Sequence, residues 1–353
     1  MKFNIKMLFL IVLCVICFDG YVDASSIGML TYTFDDGRLS VYNNALPILE
    51  RYGQVGVAGV YLNSVLSNGP THMHQQELLD LESRGWEIAS HSITHPHFSK
   101  IPQTYDEETL TNWSIVSGYS YTYKTAYDYN ELPFVLEDSE KLKEVNSISN
   151  VELYPGSFYF DDVNHMVYVH TFGNDNPLTH EIRADSVQRE LEYSKKGLNE
   201  LGLHVQNFVV PFSDWNDARA KLAKEYYNCV ASGGGLPNDI PVSNPYYLYR
   251  IGAGGDYTPE DVISWINQYV IDEGKWLILL FHGIGEEGGW APWPTEYLEQ
   301  VAGYVSENEI NVVTLQQGIE IASVPIPASI CSFFTGFIML LVLKKKLLQL
   351  NEK

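Results

Sequence analysis

Short apolar runs that alternate with segments of helical spacing constrain this chain more than any other feature. Ile27 to Phe34 is an apolar run that ends in charge, and Leu39 to Tyr52 follows at helical spacing, with Leu46, Leu49 and Tyr52 among its apolar positions. Val55 to Leu62 is a second run. Gln75 to Arg84 is a helical segment stopped at Gly85, and Trp86 to Ala89 is a third run. The alternation resumes with helical segments at Ser186 to Leu201, Asp217 to Tyr226, Pro259 to Ile271 and Thr295 to Glu307. The matching strands are Val205 to Val210, Tyr227 to Ala231, Tyr247 to Ile251, Trp276 to Phe281 and Asn311 to Leu315. Short continuous apolar runs read as buried strands. Repeated βα units imply a parallel sheet or barrel, which gathers its functional residues at the C-terminal ends of its strands.

One stretch breaks this rhythm. Residues 104–183 hold a tyrosine-rich run (Tyr119, Tyr121, Tyr123, Tyr127, Tyr129) and the alternating segments Gly156 to Asp161 and Met166 to His170. That is hairpin patterning, and it predicts an inserted β-rich subdomain. Such an insert either binds glycan or covers the barrel edge.

The two ends read as processing segments. In residues 1–24, Lys2 and Lys6 precede an apolar run from Met7 to Phe18, with Val22-Asp23-Ala24 at the cleavage positions. This is the pattern of a secretory signal. In residues 324–353, Val324-Pro325-Ile326-Pro327-Ala328 leads into an apolar stretch from Ile330 to Leu343, then Lys344, Lys345 and Lys346. The stretch is marginal for a bilayer span, and its terminal lysines fit a segment stopped at the cytoplasmic face. Export through the inner membrane is therefore expected, to a periplasmic, cell-surface or extracellular position, with or without the tail as an anchor.

Composition narrows the function. The chain is 45% hydrophobic and 19% charged, which is globular and excludes disordered, collagenous or coiled-coil architectures. Its net charge is −22. Six of the 22 basic and three of the 44 acidic residues lie in the two ends, so the body is near −25. Phosphate contacts need Lys and Arg, so nucleic acid is not an expected partner. Cys14, Cys17 and Cys331 lie in the ends and leave only Cys229 in the body. An exported body with one cysteine has no internal disulfide, and its core must supply the stability.

Three strand ends carry the chemistry. Thr33-Phe34-Asp35-Asp36-Gly37 places adjacent carboxylates after the first strand. Side chains alternate along a strand, so such a pair needs a cation or hydrogen-bonding site to be tolerated. Ser90-His91-Ser92-Ile93-Thr94-His95 follows the third strand. Histidines four apart converge on one metal if the segment makes a helical turn. Leu279-Leu280-Phe281-His282-Gly283 delivers a lone histidine at the end of an apolar strand. Two His plus one Asp is a donor set that zinc accepts, with positions left open for water. His72, His74, His97, His165, His170, His180 and His204 read as structural or surface residues.

Taken together, these segments resemble the NodB-like polysaccharide deacetylases, carbohydrate esterase family 4. Asp-Asp-Gly, His-Ser-x-x-His, the Pro-aromatic loop Phe208-Val209-Val210-Pro211-Phe212 and the lone His282 stand in the family's order. The resemblance covers residues 27–101 and 184–322. It implies a distorted (β/α)7 barrel, with the catalytic domain made of residues 25–103 and 184–323 and the β-rich insert of residues 104–183 between them. It implies Asp35 as general base and His282 as general acid. Asp36, His91 and His95 would be ligands of a divalent metal, zinc first, with cobalt or nickel also suited to the donor set. The Phe212 backbone N–H would help hold the oxyanion, and Pro211, Phe212 and Trp215 are the expected substrate contacts. Many members carry an Arg two residues before the Pro, where this chain has Val209; that Arg pairs with the base. A subgroup with Phe-Ala-Tyr-Pro-Tyr-Gly lacks it too, and Phe208 to Asp214 looks closer to that subgroup. Asp256, after Tyr249-Arg250-Ile251, is a candidate for the Asp that orients His282. The tail resembles the PEP-CTERM signals that exosortases process, although the family usually has Glu at the position of Ile326.

The expected reaction is metal-dependent removal of N-acetyl groups from an N-acetylglucosamine-containing extracellular or envelope polymer. Two other classes stay open. One is a deacetylase fold that binds sugar without turnover, and the other is a metal-dependent hydrolase of different amides.

Overall fold

The computed structural model describes residues 28–323. The signal and tail expected at residues 1–24 and 324–353 lie outside them. Among the described residues no helix is long and apolar enough to cross a membrane.

Eight strands form the main sheet, numbered here in chain order: β1 Met29–Phe34, β2 Val57–Val60, β3 Glu87–Ser90, β4 Phe208–Val209, β5 Val230–Ala231, β6 Ile251–Gly252, β7 Trp276–Phe281 and β8 Asn311–Val312. Every pairing is parallel, in the order β5-β4-β3-β2-β1-β7-β6, with β8 beside the start of β1. A parallel bridge between Ala231 and Leu248, just before β6, joins the two ends of this series. The result is the expected distorted (β/α)7 barrel.

β1 is buried at all six positions, as a strand packed on both faces must be. Its two threonines are satisfied inside: Thr31 Oγ1 donates to Val313 O at 2.8 Å and Thr33 Oγ1 to Leu279 O at 2.8 Å. Phe34 stacks on Trp86 with centroids 5.5 Å apart. Gly56 makes that contact possible, since a Cβ there would stand 2.7 Å from the Trp86 ring and 2.9 Å from Phe34. Any side chain at Gly56 pushes the two rings apart.

Several elements are shorter than the apolar runs predict. The run Val205 to Val210 yields only Phe208–Val209 as strand. Next to it, Asn207 keeps its carbonyl bond from Ser90 N at 3.0 Å, but its side chain takes the place of a ladder acceptor on the other side. Its Oδ1 accepts from Cys229 N at 2.9 Å and its Nδ2 donates to Glu87 Oε1 at 2.7 Å. The helical segment after β1 opens with a wide turn over Val41–Ala45 before the α-helix Leu46–Arg51. Pro47 explains the wide turn, because its ring collides with the carbonyl four residues earlier in regular helix. The helix Val187–Glu200 agrees with its expected span and is capped by the Ser186 side chain, which accepts from Arg189 N.

Between β3 and that helix lie two small sheets. One has five strands in the order Ser114–Ile115, Tyr123–Ala126, Met166–His170, Ser157–Asp161, Lys143–Glu144; the other has three, Ile182–Ala184, Val135–Glu137, Glu140–Lys141. Ser157–Asp161 and Met166–His170 pair as an antiparallel hairpin, as their alternation predicts. The tyrosine run feeds this region's own core, where Tyr127 packs with Trp113, Phe158 and Val167. Buried Glu108 ties the region to the helix Val187–Glu200, accepting from Arg189 Nη2 at 2.6 Å and Ser186 Oγ at 2.8 Å.

Candidate metal centre and acid–base pair

Register brings the chemistry together. Phe34 pairs with Phe281, so Asp35 and His282 leave adjacent strand ends side by side, and Asp35 N donates to Phe281 O at 2.8 Å. Val60 pairs with Ser90, and His91 N donates to Val60 O at 2.9 Å. All of these positions lie at the C-terminal end of the barrel.

Asp35 and Asp36 diverge because the chain turns left-handed between them. Asp36 has φ 70° and Gly37 φ 64°. An aspartate tolerates this region better than most side chains, and Gly37 extends the turn at no cost. Asp35 points into the barrel and is 3% exposed. Its two oxygens accept from Arg250 Nη1 at 2.8 and 3.0 Å. Arg250 is 2% exposed, and it also donates from Nε to Ser232 O at 2.6 Å and from Nη1 to Thr33 Oγ1 at 3.2 Å. Arg250 therefore supplies the partner that Val209 cannot, from a segment far away in sequence. In the sequence, the signal that marks Arg250 is a lone Arg beside an otherwise apolar run.

Asp36 faces the histidines. Its Oδ1 lies 3.4 Å from His91 Nε2 and 3.2 Å from His95 Nε2, and the two Nε2 atoms are 3.1 Å apart. His91 Nδ1 sits 2.8 Å from Val209 O. A carbonyl only accepts, so Nδ1 carries the hydrogen and Nε2 offers a lone pair. Asp36 Oδ1 is buried with no hydrogen-bond partner among the described residues. One orphaned carboxylate oxygen and two imidazole nitrogens, mutually within 4.8 Å, fit a divalent metal. Burial alone would raise the Asp36 pKa, but the two imidazoles outweigh it and hold the carboxyl well below the usual range.

The His91–His95 segment is not the helical turn the spacing suggests. It is a loop with Ser92 at φ 77° and His95 at φ 61°. Ser92 Oγ accepts from His95 N at 2.9 Å. Buried Glu190, on the helix Val187–Glu200, accepts from Ile93 N, from Thr94 N at 3.1 Å and from the Thr94 hydroxyl. Beside it, burial and then the Glu190 charge push the Asp185 carboxyl well up, toward its neutral form. No local pattern marks Glu190, because the backbone groups it holds lie 96 and 97 residues away.

On one flank stands Phe212, 54% exposed and left-handed at φ 53°. Its ring lies 4.5 Å from that of His95 and stacks on His97 at 3.8 Å and 6°. His97, expected to be structural or surface, is thus a wall of the mouth. Glu131, from the inserted region, holds it by accepting from His97 N at 2.9 Å and pairing with Nδ1 at 2.8 Å. Pro211 is buried next to Phe212. Trp215 does not join the mouth. It is 8% exposed, packs on Phe98 and Phe208, and donates its indole N–H to Tyr246 O at 2.9 Å.

His282 is half-buried, and its Nδ1 has no hydrogen-bond partner among the described residues. Burial lowers its pKa, against the pull of the Asp35 and Asp36 charges. Asp256 is exposed and forms no hydrogen bond with His282, so it does not orient the ring. A second group, Glu137, Asp138 and His180, also clusters. There both ring nitrogens are engaged, Nδ1 with Asp138 at 2.6 Å and Nε2 with Asp175 at 2.9 Å, as in an ion-pair network.

Three solved structures are similar over most of this chain. The Xyl-CE4 domain of a multidomain xylanase from the hindgut metagenome of Trinervitermes trinervoides shares 16% identity over 83% of this chain and 89% of its own, with TM-score 0.43. A family 4 carbohydrate esterase from Streptomyces lividans, in complex with acetate, shares 11% over 82% and 95%, with TM-score 0.43. A CE4 family pseudoenzyme from Bacillus anthracis shares 12% over 82% and 64%, with TM-score 0.43. No curated protein matches the chain. Residues 23–124 match the family model described as polysaccharide deacetylase, so the segment that carries Asp35, Asp36, His91 and His95 is similar to that family.

Proposed function

We propose that this protein is a metal-dependent deacetylase that hydrolyses N-acetyl groups on an N-acetylglucosamine-containing polymer outside the cytoplasm. The observation that carries the reading is the meeting of Asp36, His91 and His95 at the strand ends that also bear Asp35 and His282. The family match over residues 23–124 supports it. The export reading of residues 1–24 and the exosortase-like reading of residues 324–353 belong to the same proposal.

Each residue has a separate task. Asp36, His91 and His95 would hold a divalent metal, zinc by donor type, which when bound polarises the amide carbonyl and acidifies a water. Asp35 accepts the proton of the attacking water. Arg250 holds its carboxylate in place through two hydrogen bonds from Nη1. The Phe212 N–H would help hold the oxyanion; one such donor is worth about 3 kcal/mol. His282 gives a proton to the departing nitrogen as the C–N bond breaks, leaving acetate and a free amine.

Acetate release from N-acetylglucosamine oligomers and peptidoglycan, with chelator and with zinc restored, tests this. Release that stops with chelator and returns with zinc is expected, and no release from any acceptor by zinc-loaded protein sinks it. One observation favours a second reading, sugar binding without turnover. Among the described residues, the His282 Nδ1 lacks a partner that would orient and charge the ring. Tight oligomer binding with no acetate would select that reading.

A further inference from the structure

The loop from Gly283 to Trp293 holds an aromatic ring that neither the fold nor the proposed chemistry uses. Trp290 is 67% exposed, and its ring lies 4.6 Å from that of His282, inclined at 65°. Leaving an indole in water forfeits the stabilisation its burial would bring. The loop that carries it is anchored on both sides. Trp293 is buried, donates its indole N–H to Tyr257 O at 2.7 Å, and exchanges backbone bonds with Gly283 and Gly285. Glu286 pairs with Arg38 at 3.0 Å, and both side chains are largely buried. Ala291 O accepts from Gly255 N at 3.2 Å. Gly288 and Gly289, at φ 93° and 80°, make the turn that presents the ring. Trp290 is thus a flat apolar face on a fixed support, on the His282 side of the site. Phe212 stands on the His95 side.

We propose that Trp290 is a sugar platform, stacking the apolar face of a pyranose adjoining the unit whose amide meets His282, so that the ligand is an uncharged pyranose oligomer. A pyranose with equatorial substituents presents C–H groups that pack on an aromatic ring. The charges select against anionic chains. Asp35, Asp36, Glu286 and Glu287 all belong to the site or this loop, while Arg38 is paired with Glu286 and Arg250 with Asp35. The proposal rests on the deacetylase reading only for which unit reacts, not for binding itself.

The test is calorimetric titration of the full-length chain, chelator-treated so that no turnover occurs, with tetra-N-acetylchitotetraose, cellotetraose and tetragalacturonate. Wild type, Trp290→Ala and Trp290→Tyr are compared. The expected result is binding of the neutral tetramers, weakened about tenfold in Trp290→Ala and largely kept in Trp290→Tyr, with no binding of tetragalacturonate. Equal affinity in Trp290→Ala, preference for tetragalacturonate, or no binding of any tetramer by wild type would overturn it. Trp290-dependent binding without acetate release in the zinc-loaded assay would sink the deacetylase reading and leave the platform standing. Acetate release with an unchanged KM in Trp290→Ala would do the reverse.

Discussion

Asp35 and Asp36 are neighbours in the chain with opposite partners, because a left-handed turn at Asp36 sends one carboxylate to Arg250 and the other to two imidazoles. The Arg250–Asp35 pair is almost fully buried, and removing one member of such a pair leaves an uncompensated charge. Arg250→Met is therefore expected to lower stability by about 3–5 kcal/mol in denaturant unfolding and to slow acetate release. Simultaneous Asp35→Leu should recover part of the stability but none of the activity. Unchanged unfolding of Arg250→Met would mean that the pair is not closed in solution.

At the scale of elements, the inserted sheets are fastened by charge. His180 stands among Asp138, Asp175 and Glu137. Its hydrogen bond to Asp138 first, then that to Asp175, raises its pKa above the ordinary histidine value, against some burial. A histidine whose folded pKa exceeds its unfolded one stabilises fully below the unfolded value, about 6.5, and the contribution fades as pH rises through the folded value. Thermal unfolding of wild type and His180→Gln from pH 5 to 9 should show a melting-temperature gap that is widest at low pH and narrows on the alkaline side. A gap that stays constant, or widens, with rising pH contradicts this. The same inserted region reaches the mouth through Glu131, which holds His97 against Phe212.

For the whole molecule, the barrel was legible because β7 is a continuous apolar run and β1 a mostly apolar one, and each stops just before a residue of the candidate site. The meeting of Asp36, His91 and His95 was legible from where they stand, each just after a strand. What stayed hidden depends on contacts that no local pattern encodes. Arg250 crosses to Asp35 from 215 residues away, and Glu190 holds Thr94 across 96. Trp215 was misplaced because a tryptophan near a catalytic loop looks alike in sequence whether it faces substrate or core, and here its indole N–H finds a carbonyl inside. The proposed chemistry divides the labour: Asp35 would handle the proton, while Asp36, His91 and His95 would hold the metal. Zinc content measured beside acetate release, for wild type, Asp35→Asn and His91→Ala, tests it most directly. One equivalent of zinc and no acetate are expected for Asp35→Asn, and loss of both for His91→Ala. Asp35→Asn that turns over like wild type, or that loses zinc as His91→Ala does, would contradict it.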